Sequence, residues 1–208
     1  MCIRDSNQLD DYGQSPLFLA TRRGHPKVMA QLLEAGATLA GPGGSPMFLL
    51  HEATTPEAVD LLVHAGANVN EPDARGFAPL HQQAKAGRSE VVERLLFHRA
   101  HPNVLDRHGR TPGFWLGAGQ AKECLAALIS QGLDLSIRDV DGGVAAHFIP
   151  LRTRSEELLL DVYQGCPEAF LVKNKQGETP VFVLARSGRM DLADKIEADL
   201  KGRASAQP

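Results

Sequence analysis

A glycine returns at a near-constant interval through this chain: Gly13, Gly43, Gly76, Gly109, Gly142 and Gly177 are separated by 30, 33, 33, 33 and 35 residues. Around each lies the same short frame, read in turn as DDYGQSPLF, GPGGSPMF, DARGFAPLH, DRHGRTPGF, DVDGGVAAH and NKQGETPVF. Self-similarity at this period means that each unit is one supersecondary element, so the chain folds as a stack of small units and not around one central core. Six such units account for nearly all of the 208 residues.

Each unit reads as turn, helix, short turn, helix. In the first, Ser15 is placed to cap the amides of a helix whose first turn contains Pro16, a residue with no amide to satisfy there. Leu17 to Thr21 form the first helix, Gly24 breaks it, and Val28, Met29, Leu32 and Leu33 mark one face of the second, which Gly36 ends. The equivalent faces are Ala58, Val59, Leu62 and Val63, then Val91, Val92, Leu95 and Leu96, then Cys124, Leu125, Leu128 and Ile129. First helices are expected near Pro16, Pro46, Pro79, Pro112, Ala145 and Pro180. So small a helix pair cannot bury its own apolar stripe, but stacking on the next pair can.

The stretch DARGFAPLHQQAKAGRSEVVERLLFHRAHPNV at 73 to 104 resembles the ankyrin repeat family, with its turn Asp and Gly, TPLHxA and VVxLLLxxGADVN-like run. The likeness returns in SPLFLATRRGHPKVMAQLLEAGATL at 15 to 39 and PEAVDLLVHAGANVNEPD at 56 to 73. It implies an all-α repeat solenoid of helix-turn-helix units with β-hairpin finger loops, whose concave face and fingers grip protein partners. It also implies that His81 and His147, at the family's TPLH histidine, hydrogen-bond backbone between repeats. The expected domain spans 9–201, divided at about 9–40, 41–70, 71–104, 105–137, 138–172 and 173–201, with disordered flanks at 1–8 and 202–208.

Four departures stand out. The connection from Gly36 to Pro46 is three residues shorter than that from Gly66 to Pro79 and lacks the turn Asp, so a blunt second finger is expected. Arg99 stands where Gly36, Gly66, Gly132 and Gly165 end other helices, which demands a positive φ or a shifted cap. Unit five carries Val144 and Ala145 for Thr-Pro, Pro150 late in its first helix and Asp161 at an apolar site, and irregularity is expected there. The last helix presents Asp191, Asp194, Lys195, Glu197, Asp199 and Lys201, a surface fit to face water where no further repeat stacks.

Composition narrows the function. A net charge of -3 gives no general pull toward nucleic acid, and no run approaches the roughly 18 apolar residues of a membrane span. The opening MCIRDSNQLDDYG lacks the apolar core of a secretory signal, so an intracellular address, cytoplasmic or nuclear, is expected. Cys2, Cys124 and Cys166 form no paired framework, and His98 and His101 gain no third ligand at zinc-site spacing. Nucleophile, phosphate-loop and dinucleotide motifs are missing too, which leaves a non-enzyme without cofactor.

The residues that the repeat does not dictate point to binding. Finger positions carry Tyr12, Arg75, Phe77, Arg107, His108 and Arg110, and first-helix ends, which the resemblance places on the concave face, carry Arg22 and Lys85. Aromatic and Arg side chains on a rigid scaffold are the usual anchors of protein interfaces. The expectation is a monomeric, non-catalytic interaction module, an adaptor, inhibitor or regulatory subunit, whose partner is another protein presenting an acidic segment. A scaffold fragment of a larger enzyme or effector is the alternative. Phe77 is expected as an exposed ring on the third finger, since Gln14, Gly44, Arg110, Gly143 and Glu178 hold its place elsewhere.

Overall fold

The structure, a computed structural model, describes residues 6–40, 48–117 and 119–205. Helix pairs follow one another along it: α1 (Pro16–Arg22) with α2 (Pro26–Glu34), α3 (Leu49–Glu52) with α4 (Pro56–His64), and α5 (Pro79–Ala86) with α6 (Ser89–Phe97). Next come a 3-10 turn (Pro112–Trp115) with α7 (Ala121–Ser130), α8 (Ala145–Arg152) with α9 (Glu156–Gly165), and α10 (Pro180–Arg186) with α11 (Met190–Ser205). The apolar stripes are buried between successive pairs: Leu32, Leu62, Leu95, Leu128 and Leu158 are almost fully covered. Cys124 lies among them as a small core side chain, and burial, with the charge of Glu123 behind it, pushes its thiol up to about 12.

Among the described residues no strand forms, so the fingers described there lack the β-hairpin pairing that the resemblance implies. They are five-residue loops closed by one side chain. Asp73 Oδ1 accepts the amides of Arg75 and Phe77 at 2.8 and 2.9 Å. Asp10, Asp106, Asp139 and Asn174 do the same for the residues two and four places on. The fourth residue of the loop takes a left-handed backbone, and at Gly76 (φ 78°) a Cβ would also lie 2.9 Å from the amide of Arg107. Backbone bonds then join finger to finger, from Arg107 to the Arg75 carbonyl (3.4 Å), Val140 to His108 (2.9 Å) and Lys175 to Asp141 (2.8 Å).

Imidazoles tie the units together behind the fingers. His81 Nδ1 accepts the Ala78 amide at 3.1 Å, which leaves the proton on Nε2, and Nε2–H donates to the Arg110 carbonyl at 2.9 Å. His147 repeats this with Val144 and Glu178, and His51 Nε2 lies 2.7 Å from the Phe77 carbonyl. At the far side Asn7, Asn70 and Asn103 each accept a main-chain amide of the following unit, from Thr38, His101 and Asp134. Asn7 and Ser6, which bonds the Ala35 carbonyl, join the array ahead of the start expected at residue 9, and α11 runs four residues past the expected end at 201.

The contact of His51 relocates the missing residues. Fifteen residues separate His51 from Gly36, as fifteen separate His81 from Gly66. Leu49-Leu50-His51 therefore matches Pro79-Leu80-His81, and α3 has four residues where α5 has eight. The first helix of unit two is what shrank. It begins at Leu49, not near Pro46, and the finger expected to be blunt lies at 41–47, outside the described residues. The carbonyls that so short a helix leaves open are met from the next unit, by buried Gln83, whose Nε2 donates to Leu50 and His51 oxygens at 3.2 and 2.9 Å.

Irregularity falls on unit four as well as on unit five, where a second 3-10 turn (Pro167–Leu171) follows α9. In unit four the first helix near Pro112 is only the 3-10 turn, ended by Leu116, with Gly117 and Gly119 just beyond. In unit five, α8 keeps eight residues with Pro150 inside it, and Arg189 Nη1 and Nη2 donate to the Pro150 and Thr153 carbonyls at its end. Asp161 stays partly exposed, 3.7 Å from Lys122 Nζ. Arg99 adopts the positive φ, 66°, whereas Gly165 ends α9 without one. The acidic and basic residues of α11 do face outward, yet exposed Phe182, Leu171 and Met190 border an apolar groove beside them.

Two consequences are measurable. Leu95 is fully buried with units on both sides, so Leu95→Ala should lower stability in urea melts by roughly 2–5 kcal/mol. Burial holds His51, His81 and His147 below the ordinary imidazole value, outweighing the carbonyl bonds that raise it. The unfolded chain then binds more protons than the fold below the ordinary value of 6.5, and stability should fall as pH drops through that value toward the lowered ones. Urea melts from pH 7.5 to 5.5 should show this slope, and His81→Gln should flatten it.

Candidate functional site

The 3-10 turn of unit four delivers Trp115, the only tryptophan of the sequence, to the surface lined by first helices. There it forms one wall of a cleft of about 330 Å³, shared with Arg75, Phe77, Lys85, Asp106, Arg107, His108 and Arg110. Three units converge on the indole. Lys85 Nζ at the end of α5 lies 5.5 Å from the ring centroid, and the Arg110 guanidinium of the fourth finger 6.0 Å from it. Arg152, at the end of α8, approaches to 4.3 Å. That approach depends on Gly117, where a Cβ would sit 2.5 Å from Arg152 Cβ.

Phe77 is a packing residue, which corrects the expectation of an exposed ring. It is 5% exposed, edge-on to Trp115 at 4.6 Å and stacked on His81 at 5.1 Å. Its slot faces the next unit's first helix, and what fills it depends on what stands opposite. In unit four the same slot holds Arg110, which crosses to Asp139 Oδ2 at 3.1 Å and lies over Phe148 at 4.7 Å. The absence of apolar residues in the other units was therefore no guide to unit three.

The charges divide into two sets. Arg75 is held by Asp73 Oδ2 through Nε and Nη2, at 3.1 and 3.0 Å, and Arg110 by Asp139. Lys85, Arg107 and Arg152 have no carboxylate partner among the described residues. Burial, and after it the charge of Arg110, holds Arg152 below the ordinary guanidinium value, so the two cations repel across the indole. A cleft with an aromatic wall and unneutralised cations stabilises an anion that carries some apolar surface.

Of the eight residues expected to bind, Arg75, Phe77, Lys85, Arg107, His108 and Arg110 meet in this cleft. Tyr12 and Arg22 do not. Tyr12 is 86% exposed on the first finger, and Arg22 lies 3.9 Å from Glu52. Trp115 was missed, because it occupies a first-helix position that reads as ordinary packing. Its standing as the sole tryptophan, one place beyond the slot that holds His81 and His147, was the available signal.

Comparison with known families finds two matches. Residues 47–139 match a model described as ankyrin repeats in three copies, and residues 12–40 a model of the single ankyrin repeat. No curated protein matches the chain. The first match spans the whole cleft apart from Arg152.

Because Phe77 fills the space between His81 and Trp115, Phe77→Ala should cost about 3 kcal/mol in urea melts. Tryptophan emission should shift to the red as the indole loses its cover.

Proposed function

Since the chain belongs to the ankyrin repeat family, whose repeats generally serve as protein-interaction modules, we propose that it is a non-catalytic adaptor, inhibitor or regulatory subunit that holds an acidic segment of a partner protein in the cleft around Trp115. The observation that carries this reading is the trio Lys85, Arg107 and Arg152, cations with no carboxylate among the described residues, around a half-buried indole. In this reading Lys85, Arg107, Arg152 and His108 meet the partner, while Phe77 and Arg110 build the wall and Arg75 guards the rim. Tyr12 and Arg22 lie outside the contact.

The sole tryptophan makes the test direct. Titration with capped acidic peptides, followed by Trp115 emission, should give saturable binding that neutral and basic peptides of equal length do not. Lys85→Ala with Arg152→Ala should weaken it by about tenfold or more, equivalent to about 1.4 kcal/mol. Raising the ionic strength from about 0.05 to 0.5 M should weaken it further, because exposed ion pairs are screened. Equal affinity of the double variant would remove the cations from the site.

A further inference from the structure

Three of the described fingers turn on an aspartate that is at least partly sheltered, Asp73, Asp106 and Asp139, whereas Asp10 of the first finger is exposed. In each described finger the turn carboxylate or amide uses one oxygen to close its own loop. The second oxygen of Asp73 is taken by Arg75, and that of Asp139 by Arg110 reaching over from the finger before it. The second oxygen of Asp106 has no partner among the described residues, although Asp106 is only 6% exposed. The cause is Phe77. It holds, in the third finger, the slot from which Arg110 serves Asp139, and a phenyl ring donates no hydrogen bond.

An unmet carboxylate oxygen under cover is costly, so its persistence calls for a donor. Asp106 lines the cleft described above, and so does Trp115, whose buried Nε1–H also lacks an acceptor among the described residues. A cationic donor would be repelled there, because Lys85 and Arg107 line the same cleft with no carboxylate partner among the described residues. A neutral donor escapes that repulsion. The neutral donor that an acidic segment carries at every residue is its main-chain N–H, and its carbonyls offer what Trp115 Nε1–H needs. The exposed rim side chains Arg107 and His108 change rotamer on the picosecond-to-nanosecond scale, so the rim yields to an incoming chain.

We infer that Asp106 Oδ2 is the acceptor for a main-chain N–H of the bound segment, so that the cleft grips an extended acidic peptide by its backbone as well as by its carboxylates. This rests on the reading of the cleft as an acidic-segment site. It adds a negative group that helps to bind a negative ligand, and that reversal of sign is what makes it testable.

Asp106→Asn keeps the oxygen that closes the finger and turns the other into an amide donor. Asn174 already closes the sixth unit's finger in this way, with bonds of 3.0 and 2.9 Å to Gln176 and Glu178 amides, so the variant loop folds. The probes are the capped acidic peptides used above and the same peptides N-methylated at one residue at a time. Asp106→Asn should weaken the unmethylated peptides by about tenfold or more, with melting unchanged or raised. Methylation at one position should weaken binding to the parent protein by a similar factor and make no further difference to Asp106→Asn. If Asp106 acts only through its charge, Asp106→Asn binds acidic peptides more tightly, and that result overturns the hydrogen bond while leaving the cationic site in place. Equal affinity, as when a buried water meets Oδ2, overturns it too, as does indifference of the parent protein to methylation at every position. Failure of every acidic peptide to bind the parent protein removes the site reading itself.

Discussion

All but the last of the described helices of this chain are four to ten residues long, and no two of them alone bury an apolar stripe. Each unit therefore depends on its neighbour for its interior, and everything that fixes the neighbour's position becomes a determinant of the fold. The burial of Leu62, Leu95 and Leu128 supplies the driving force, but a greasy face tolerates sliding. Directional bonds between units remove that freedom. The imidazoles of His51, His81 and His147, the amides of Asn7, Asn70 and Asn103 and the finger-to-finger backbone bonds each set one point of the register.

Much of this was legible in the sequence, because a repeat shows each of its parts several times. Glycine and proline spacing located most of the helix starts, and Arg99 left only a positive φ or a shifted cap, of which the structure has the first. What misled was counting by those same residues where they had drifted. Pro46 and Gly43 look like Pro79 and Gly76, yet Leu49 stands in the place of Pro79 and His51 in that of His81, a match that the contact of His51 with the Phe77 carbonyl makes plain. In unit four a proline and a threonine promised a regular helix, but Gly113, Gly117 and Gly119 in quick succession could not sustain one.

The cleft was half legible for a related reason. Its cations vary from unit to unit and stood out against the repeat, as Arg75, Arg107 and Arg110 did. Its aromatic wall did not, since Trp115 and Phe77 occupy positions whose environment is set by the adjoining unit and not by their own. Side chains that mate across a seam, such as Phe77 with Trp115 or Arg110 with Asp139, leave no mark on the periodicity of either partner. A reading by unit finds what each unit repeats, and misses what two units share.

The same seam logic makes Gln83 more than a buried amide. It completes a helix belonging to the unit before it, so the shortened α3 is viable only with this successor in place. Units two and three are consequently a matched couple, and the array is periodic in its backbone without being modular in its parts. Exchanging, duplicating or reordering single units, which the architecture otherwise invites, would succeed here only at joints that carry no such loan. The joint between Glu52 and Pro79 is not one of them.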